Sequence, residues 1–463
     1  MRERKPSFGV NLVSTCLAAA KTNLVCLLSC SSISKRSSEI VPISNTKEKH
    51  VTIVQNDCAR LAREYLSKHV HSRSRVSVLT NEYPSNLMTP VLLVEFERLE
   101  NNIERMAAKA ENNRVELRPH IKTHKCIEIG MMQLKHGAKG ITVSTLDEAK
   151  IFADAGFNDI TYAVPITSNK IEAALDIAST VNLRLLVDNF EIVSELELKS
   201  EKRGMALDVL LKVHCGYPRT GVNPRDPASV KLASNIANSR SLTFKGILTH
   251  AGHSYDATTT KQIREIARQE QAEMVEFSKR LESENHDLKP EVVSIGSTPT
   301  ITLTEKIMDG ITEVRPGNYV FFDYTQVTLG TCQVSDCALT AIASVLGKYE
   351  EYIVIDAGAT ALSKDIGPTH LDAGTSYGKI YSDYDKHELD SNLHLYSLSQ
   401  EHGKVKFINS SYNQEYKVND VLRILPNHSC LTANLHDCYH IVDKGEIVNK
   451  WRIRSERPIT SPC

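Results

Sequence analysis

Between Thr89 and Asp323 the chain alternates short apolar runs with longer amphipathic ones, and this alternation restricts the possible folds more than any other feature. Residues 90–95 (PVLLVE) read as a strand, and residues 98–111 (RLENNIERMAAKAE) carry apolar side chains at helical spacing. Residues 115–123 read as the next strand and 126–136 as the next helix. Strand-like runs recur at 140–145, 159–165, 183–187, 207–213, 246–250, 292–295 and 313–322, with helical segments between them. Such strand–helix alternation, repeated about eight times over roughly 240 residues, fits an α/β fold of the (β/α)8 TIM-barrel type. A doubly wound open sheet is the alternative. It would usually carry a GxGxxG turn after its first strand, and the chain has none there.

After Asp323 the pattern changes. Runs at 338–345, 352–356, 404–408 and 421–424 are short, strand-like and separated by Gly, Asp, Asn and Pro. The expected organisation is therefore a barrel over 89–323 and a C-terminal all-β domain over 324–463. Residues 46–88 hold a helical run at 57–69 and a strand-like run at 75–79, which would pack on the barrel or join the β domain. Residues 1–45 differ from the rest: they are basic at the start, apolar from 10 to 30 around Lys21, then rich in Ser. No apolar run there reaches the ~18 residues a spanning helix needs. The segment has the acid-poor, Ser-rich character of an organelle transit peptide, and a disordered extension is the plainer reading. A cytoplasmic location is expected, with organelle targeting by residues 1–45 as the alternative.

The 55 Lys and Arg balance the 56 Asp and Glu, so no field points to nucleic acid or an anionic membrane as partner. The 11 Cys include no CxxC pair, which argues for a reducing compartment rather than a disulfide framework.

Barrel active sites lie at the C-terminal ends of the strands. Residues 117–125 (LRPHIKTHK) would end the second barrel strand. Alternate residues of a strand share a face, so His120, Lys122 and His124 would point one way, and Ile121 and Thr123 the other. An inward Lys122 is a candidate Schiff-base lysine, its amine made reactive by burial and by the neighbouring Arg118, His120, His124 and Lys125. The plainer reading is a solvated basic patch. In the β domain, residues 426–430 (PNHSC) set His428 and Cys430 two apart, on one face of an extended chain. Imidazole with thiolate suits zinc, and two ligands leave positions open as catalytic zinc requires. For a bare His-x-Cys, a buried Cys beside a surface His is the plainer reading.

The string RPHIKTHK resembles the cofactor-lysine motif of the D-threonine aldolase and D-serine dehydratase family, which is similar in fold to the alanine racemases (fold-type III pyridoxal-phosphate enzymes). Further motifs match in order: HCGYPRTG at 214–221, THAGHSY at 249–255, GSTPT at 296–300, RPGNY at 315–319, DAGA at 356–359, QEHG at 400–403 and PNHSC. The resemblance spans roughly residues 85–443. It implies that Lys122 holds pyridoxal 5'-phosphate, with Lys125 the weaker candidate. It implies that Arg219 reaches the phenolic oxygen, that His250 lies beside the ring and that Tyr255 bonds to the cofactor. It places Ser297, Thr298, Gly317 and Asn318 at the phosphate and Arg315 near the pyridine nitrogen, and it makes His428 and Cys430 ligands of Zn2+. Where Cys430 stands, Cys marks zinc-dependent dehydratases and Asp marks aldolases that prefer harder ions. The implied activity is dehydration of D-serine to pyruvate and ammonia by a homodimer. A metal-dependent D-threonine aldolase and a non-catalytic carrier of the cofactor are the alternatives.

Overall fold

The computed structural model describes residues 76–77 and 87–453, apart from 373 and 375. Its first two strands are β1 (Val76–Ser77) and β2 (Val91–Glu95), followed by helix α1 (Phe96–Asn112). Helix α1 buries Leu99, Ile103, Met106 and Ala110, one stripe at helical spacing. Each fully buried aliphatic side chain of this kind stabilises the fold by about 1.5–3 kcal/mol.

Eight parallel strands then alternate with helices. They run β3 (Glu116–Leu117), α2 (Ile127–Lys135), β4 (Ile141–Val143), α3 (Leu146–Asp154), β5 (Asp159–Pro165), α4 (Ile171–Ala178), β6 (Asn182–Val187) and α5 (Phe190–Arg203). The series continues with β7 (Leu207–Lys212), α6 (Pro227–Ala237), β8 (Leu242–Leu248), α7 (Thr260–Glu284), β9 (Val292–Ile295), α8 (Thr298–Leu303) and β10 (Glu313–Val314). The sheet order is β3-β10-β9-β8-β7-β6-β5-β4, and a parallel bridge between His120 and Thr142 joins its two ends into a barrel.

Two expectations are corrected here. The run PVLLVE is not a barrel strand: β2 pairs with two strands of the second sheet. The lysine motif therefore follows the first barrel strand rather than the second. Moreover, residues 118–123 are not extended throughout. Strand β3 stops at Leu117, and Ile121–Thr123 form a 3-10 turn. The strand-like run at 75–79 joins the β domain, where β1 pairs with the last strand, and the helical run at 57–69 lies outside the described residues.

After helix α9 (Tyr324–Thr328) the chain forms a strand-rich domain: β11 (Leu339–Lys348), β12 (Tyr352–Ile355), α10 (Ala359–Leu362), β13 (Lys379–Asp383), β14 (Glu388–Leu389) and β15 (Leu393–Leu398). It is completed by β16 (Gly403–Phe407), β17 (Val421–Leu425), α11 (Ser429–Ala433), β18 (Cys438–Asp443) and β19 (Glu446–Arg452). These strands and β1 and β2 make one eleven-stranded sheet. Among the described residues, no helix is long and apolar enough to cross a membrane.

The barrel interior carries a chain of buried charges. Arg118, fully buried, reaches Glu313 at 2.6 Å and Asp159 at 2.9 Å. Glu313 accepts from Ser294 at 2.5 Å, and Ser294 in turn accepts from Arg315 at 2.5 Å. Arg118 is thus committed to this network and does not supply a free charge to Lys122, contrary to the sequence expectation.

Candidate active site

The C-terminal ends of the barrel strands and the start of α11 enclose one cavity of about 580 Å3. Lys122, Arg219, His250, Tyr255, Ser297, Thr298, Gly317, Asn318, His428 and Cys430 all line it.

Lys122 stands on the 3-10 turn after β3; it is exposed rather than buried as expected, and its amine has no hydrogen bond or ion pair among the described residues. Lys125 is occupied elsewhere: it bonds Asn434 at 2.7 Å and pairs with Glu148 at 3.3 Å. Of the expected face, only His120 accompanies Lys122 into the cavity. His124 turns away, fully buried, and sits 3.3 Å from Gln133. Thr123, expected on the opposite face, lines the cavity instead. The turn causes this, because a 3-10 segment does not alternate its side chains as a strand does.

Burial drives two of the site's histidines toward neutrality. His120 and His250 are both held well below the ordinary imidazole value, first by burial and then by the nearby Lys122 charge. His250 Nδ1 lies 3.3 Å from the Gly296 carbonyl. Behind it, the buried Glu270 accepts from the backbone N–H groups of Ala251 at 3.1 Å and Gly296 at 3.0 Å. That carboxylate ties the loop after β8 to the loop after β9. Gly296 has φ +108°, and a Cβ there would meet Ile301 at 2.7 Å, so the turn requires glycine. Ser297 caps α8 through a reciprocal pair of bonds with Thr300.

Arg219 lies exposed at the rim over the Tyr217 ring, 5.4 Å from its centroid. Arg315 also lines the cavity but is held from behind by Ser294 and the Thr249 carbonyl, and burial pushes its guanidinium down to about 10. A second lysine, Lys212 at the end of β7, is 5% exposed and lines the same cavity. Burial, with the Arg315 charge nearby, pushes it down to about 8. Sequence reading passed over Lys212; the available signal was a lysine closing the apolar run LDVLLK.

The His-x-Cys pair is not on an extended segment as expected. His428 is the N-cap residue of α11, and Cys430 sits in its first turn. Both still face the cavity. Burial alone would raise the Cys430 thiol, but the adjacent His428 imidazole outweighs it and pulls the thiol down. Burial likewise disfavours a charge on His428, yet Cys430 and Asp365 raise it well above the ordinary value. Cys430 Sγ lies 3.2 Å from Thr123 Oγ1 and 3.7 Å from Asn318 Nδ2. The Asn318 amide also donates to Asp323 at 2.6 Å and Ser429 at 2.9 Å, so its side chain serves the His-x-Cys region. His428 Nδ1 lies 3.3 Å from Asp365 Oδ2, a partner that sequence reading missed. The strings DAGA and QEHG pack on each other, with Gly358 against the Gln400 carbonyl, and neither lines the cavity.

Comparison with known proteins agrees with this architecture. Residues 94–325 match the domain described as alanine racemase, N-terminal domain, and residues 338–442 match the one described as a putative serine dehydratase domain. The chain is 35% identical to a D-serine dehydratase of Dictyostelium discoideum, over 80% of this chain and 98% of that protein. The solved structure of D-threo-3-hydroxyaspartate dehydratase from Delftia sp. HT23 superposes with a TM-score of 0.75 at 31% identity, covering 80% of this chain and 98% of that one. A cysteine-to-alanine mutant of that dehydratase, described as the metal-free form, superposes equally well, with the same TM-score, identity and coverage.

Proposed function

Because the chain belongs to the D-serine dehydratase family of alanine-racemase-like lyases, we propose that it holds pyridoxal 5'-phosphate on Lys122 and zinc on His428 and Cys430, and that it removes water from D-serine to give pyruvate and ammonia. One observation carries this reading: an unpartnered amine and an imidazole–thiol pair open into the same cavity.

The residues fit both groups. Lys122 is free to take the cofactor's aldehyde, and His120 Nδ1 is buried without a protein partner beside it. Ser297, Thr298 and the backbone at Gly317 and Asn318 would hold the phosphate end, Arg219 would meet the phenolic oxygen, and His250 and Tyr255 would flank the ring; all of these residues line the cavity. The nitrogen and sulfur donors of His428 and Cys430 suit zinc and leave coordination positions open. When bound, the cofactor supplies an electron sink for charge at the α-carbon, and the metal supplies a Lewis acid at the β-hydroxyl.

The chain's own groups do the rest. Lys122 Nζ takes and holds the α-proton. His120 and His250, kept neutral by burial, neither add to the cavity's positive charge nor compete for that proton. Thr123 and Asn318 fix the Cys430 sulfur relative to the Lys122 turn. Walls from both the barrel and the β domain line the cavity.

The test is pyruvate release from D-serine by purified protein supplied with cofactor and zinc. Pyruvate that disappears with chelator and returns with zinc supports the proposal. Glycine from D-threonine in place of pyruvate would replace dehydration with carbon–carbon cleavage. No turnover of any 3-hydroxy D-amino acid would leave a carrier of the cofactor. The reading includes a homodimer, which analytical ultracentrifugation tests.

A further inference from the structure

Asp365 lies 63 residues before His428 in the chain, yet its carboxylate is aimed at the imidazole by a built turn. Asp365 Oδ1 accepts the Gly367 N–H at 2.8 Å, which closes an Asx turn. Gly367 has φ +73°, and a Cβ there would meet Asn427 Cγ at 3.0 Å, so the turn seats directly on the residue before His428. Asn427 fastens it further, with Nδ2 donating to the Asp365 carbonyl at 2.9 Å and the Ser376 carbonyl at 2.5 Å. Thr432 bonds the Leu362 carbonyl at 3.0 Å and His436 the Ala361 carbonyl at 2.9 Å, which lock the same two segments together again.

We propose that Asp365 is a positioning residue for the metal: it accepts a hydrogen bond from His428 Nδ1–H and so leaves Nε2 as the nitrogen presented to zinc. The inference rests on the metal reading above. The two nitrogens of an imidazole point to different sides of the ring, and a neutral imidazole carries its proton on one of them. A carboxylate on Nδ1 selects the tautomer with Nε2 unprotonated and raises its basicity as a ligand. Asp365 is itself no ligand: it does not line the cavity, and its Oδ1 is taken by Gly367. The open coordination positions therefore remain available for substrate.

The experiment is zinc competition against a chromophoric chelator, performed on protein carrying its cofactor. Asp365→Asn keeps an acceptor for Gly367 and guards against misfolding of Asp365→Ala. Both variants should bind zinc roughly 10- to 100-fold more weakly, with the cofactor's absorption spectrum and affinity unchanged. High zinc should restore their turnover. Zinc affinity unchanged in both variants while His428→Ala loses zinc would overturn this proposal alone. Zinc affinity unchanged in His428→Ala as well would overturn the metal reading with it.

Discussion

The Cys430 sulfur lies 3.2 Å from the Thr123 hydroxyl, across a separation of 307 residues. Thr123 is the neighbour of Lys122 on the same 3-10 turn. One contact therefore couples the lysine of the barrel to the His-x-Cys pair of the β domain.

Lys122→Ala should abolish the visible absorption of the bound cofactor, and turnover with it. Lys125→Ala should retain the absorption, because Lys125 is committed to Asn434 and Glu148. Cys430→Ala should retain the absorption but lose zinc and turnover. Absorption spectra and metal analysis on the three variants check this.

Lys212 gives a pH-dependent stability effect in the cofactor-free protein. Its folded-state value is depressed from 10.5 to about 8, mainly by burial. The folded state thus disfavours the charged amine. The penalty is full below about pH 8 and fades as pH rises toward 10.5. The gap corresponds to on the order of 3 kcal/mol. Lys212→Met should raise Tm at pH 7, and its advantage should shrink by pH 10. A constant difference in thermal melts across that range would contradict the assignment.

Glu270 is buried with two backbone N–H groups on one oxygen. Glu270→Ala orphans both donors, at a cost of about 2–5 kcal/mol, and should weaken cofactor binding by releasing the His250 and Ser297 loops. Glu270→Gln keeps an acceptor and should be far milder. Burial raises the Glu270 carboxyl, so ionising it costs folded-state stability as pH climbs past the ordinary value of 4.5. The Gln variant cannot ionise and should gain on the native protein over that rise in denaturant titrations.

Arg118→Met leaves Glu313 and Asp159 with only the longer Arg184 contacts, at 3.4 and 3.5 Å, in place of the 2.6 and 2.9 Å pairs to Arg118. Removing one partner of such a buried network costs about 3–5 kcal/mol. Urea unfolding should show the loss. Part of it should return on adding Glu313→Gln, because the two residues are in contact.

The barrel was legible because a period of 3.6 alternating with apolar runs has few other solutions. What periodicity does not say is which sheet an apolar run joins. PVLLVE reads as well for a central strand of the second sheet as for a barrel strand, and it lies in the second sheet. Lys122, His428 and Cys430 were legible as chemistry-bearing types in short motifs. Their local conformations were not: a strand that stops at Leu117 and a helix that begins after His428 changed which neighbours share their face. Thr123 was placed outward for that reason. Asp365 and Glu270 were invisible, since each acts through a hydrogen bond across a long stretch of chain that no local spacing encodes.

In the proposed function, one cavity brings the Lys122 amine and the His428–Cys430 pair to a single reacting molecule. Anomalous scattering at the zinc edge, from crystals of the protein loaded with cofactor and zinc, tests it most directly. A strong peak is expected between His428 and Cys430, with cofactor density continuous with Lys122 in the same cavity. Zinc confined to the surface group of Glu100, Glu104 and His136, or cofactor joined to another lysine, would contradict it.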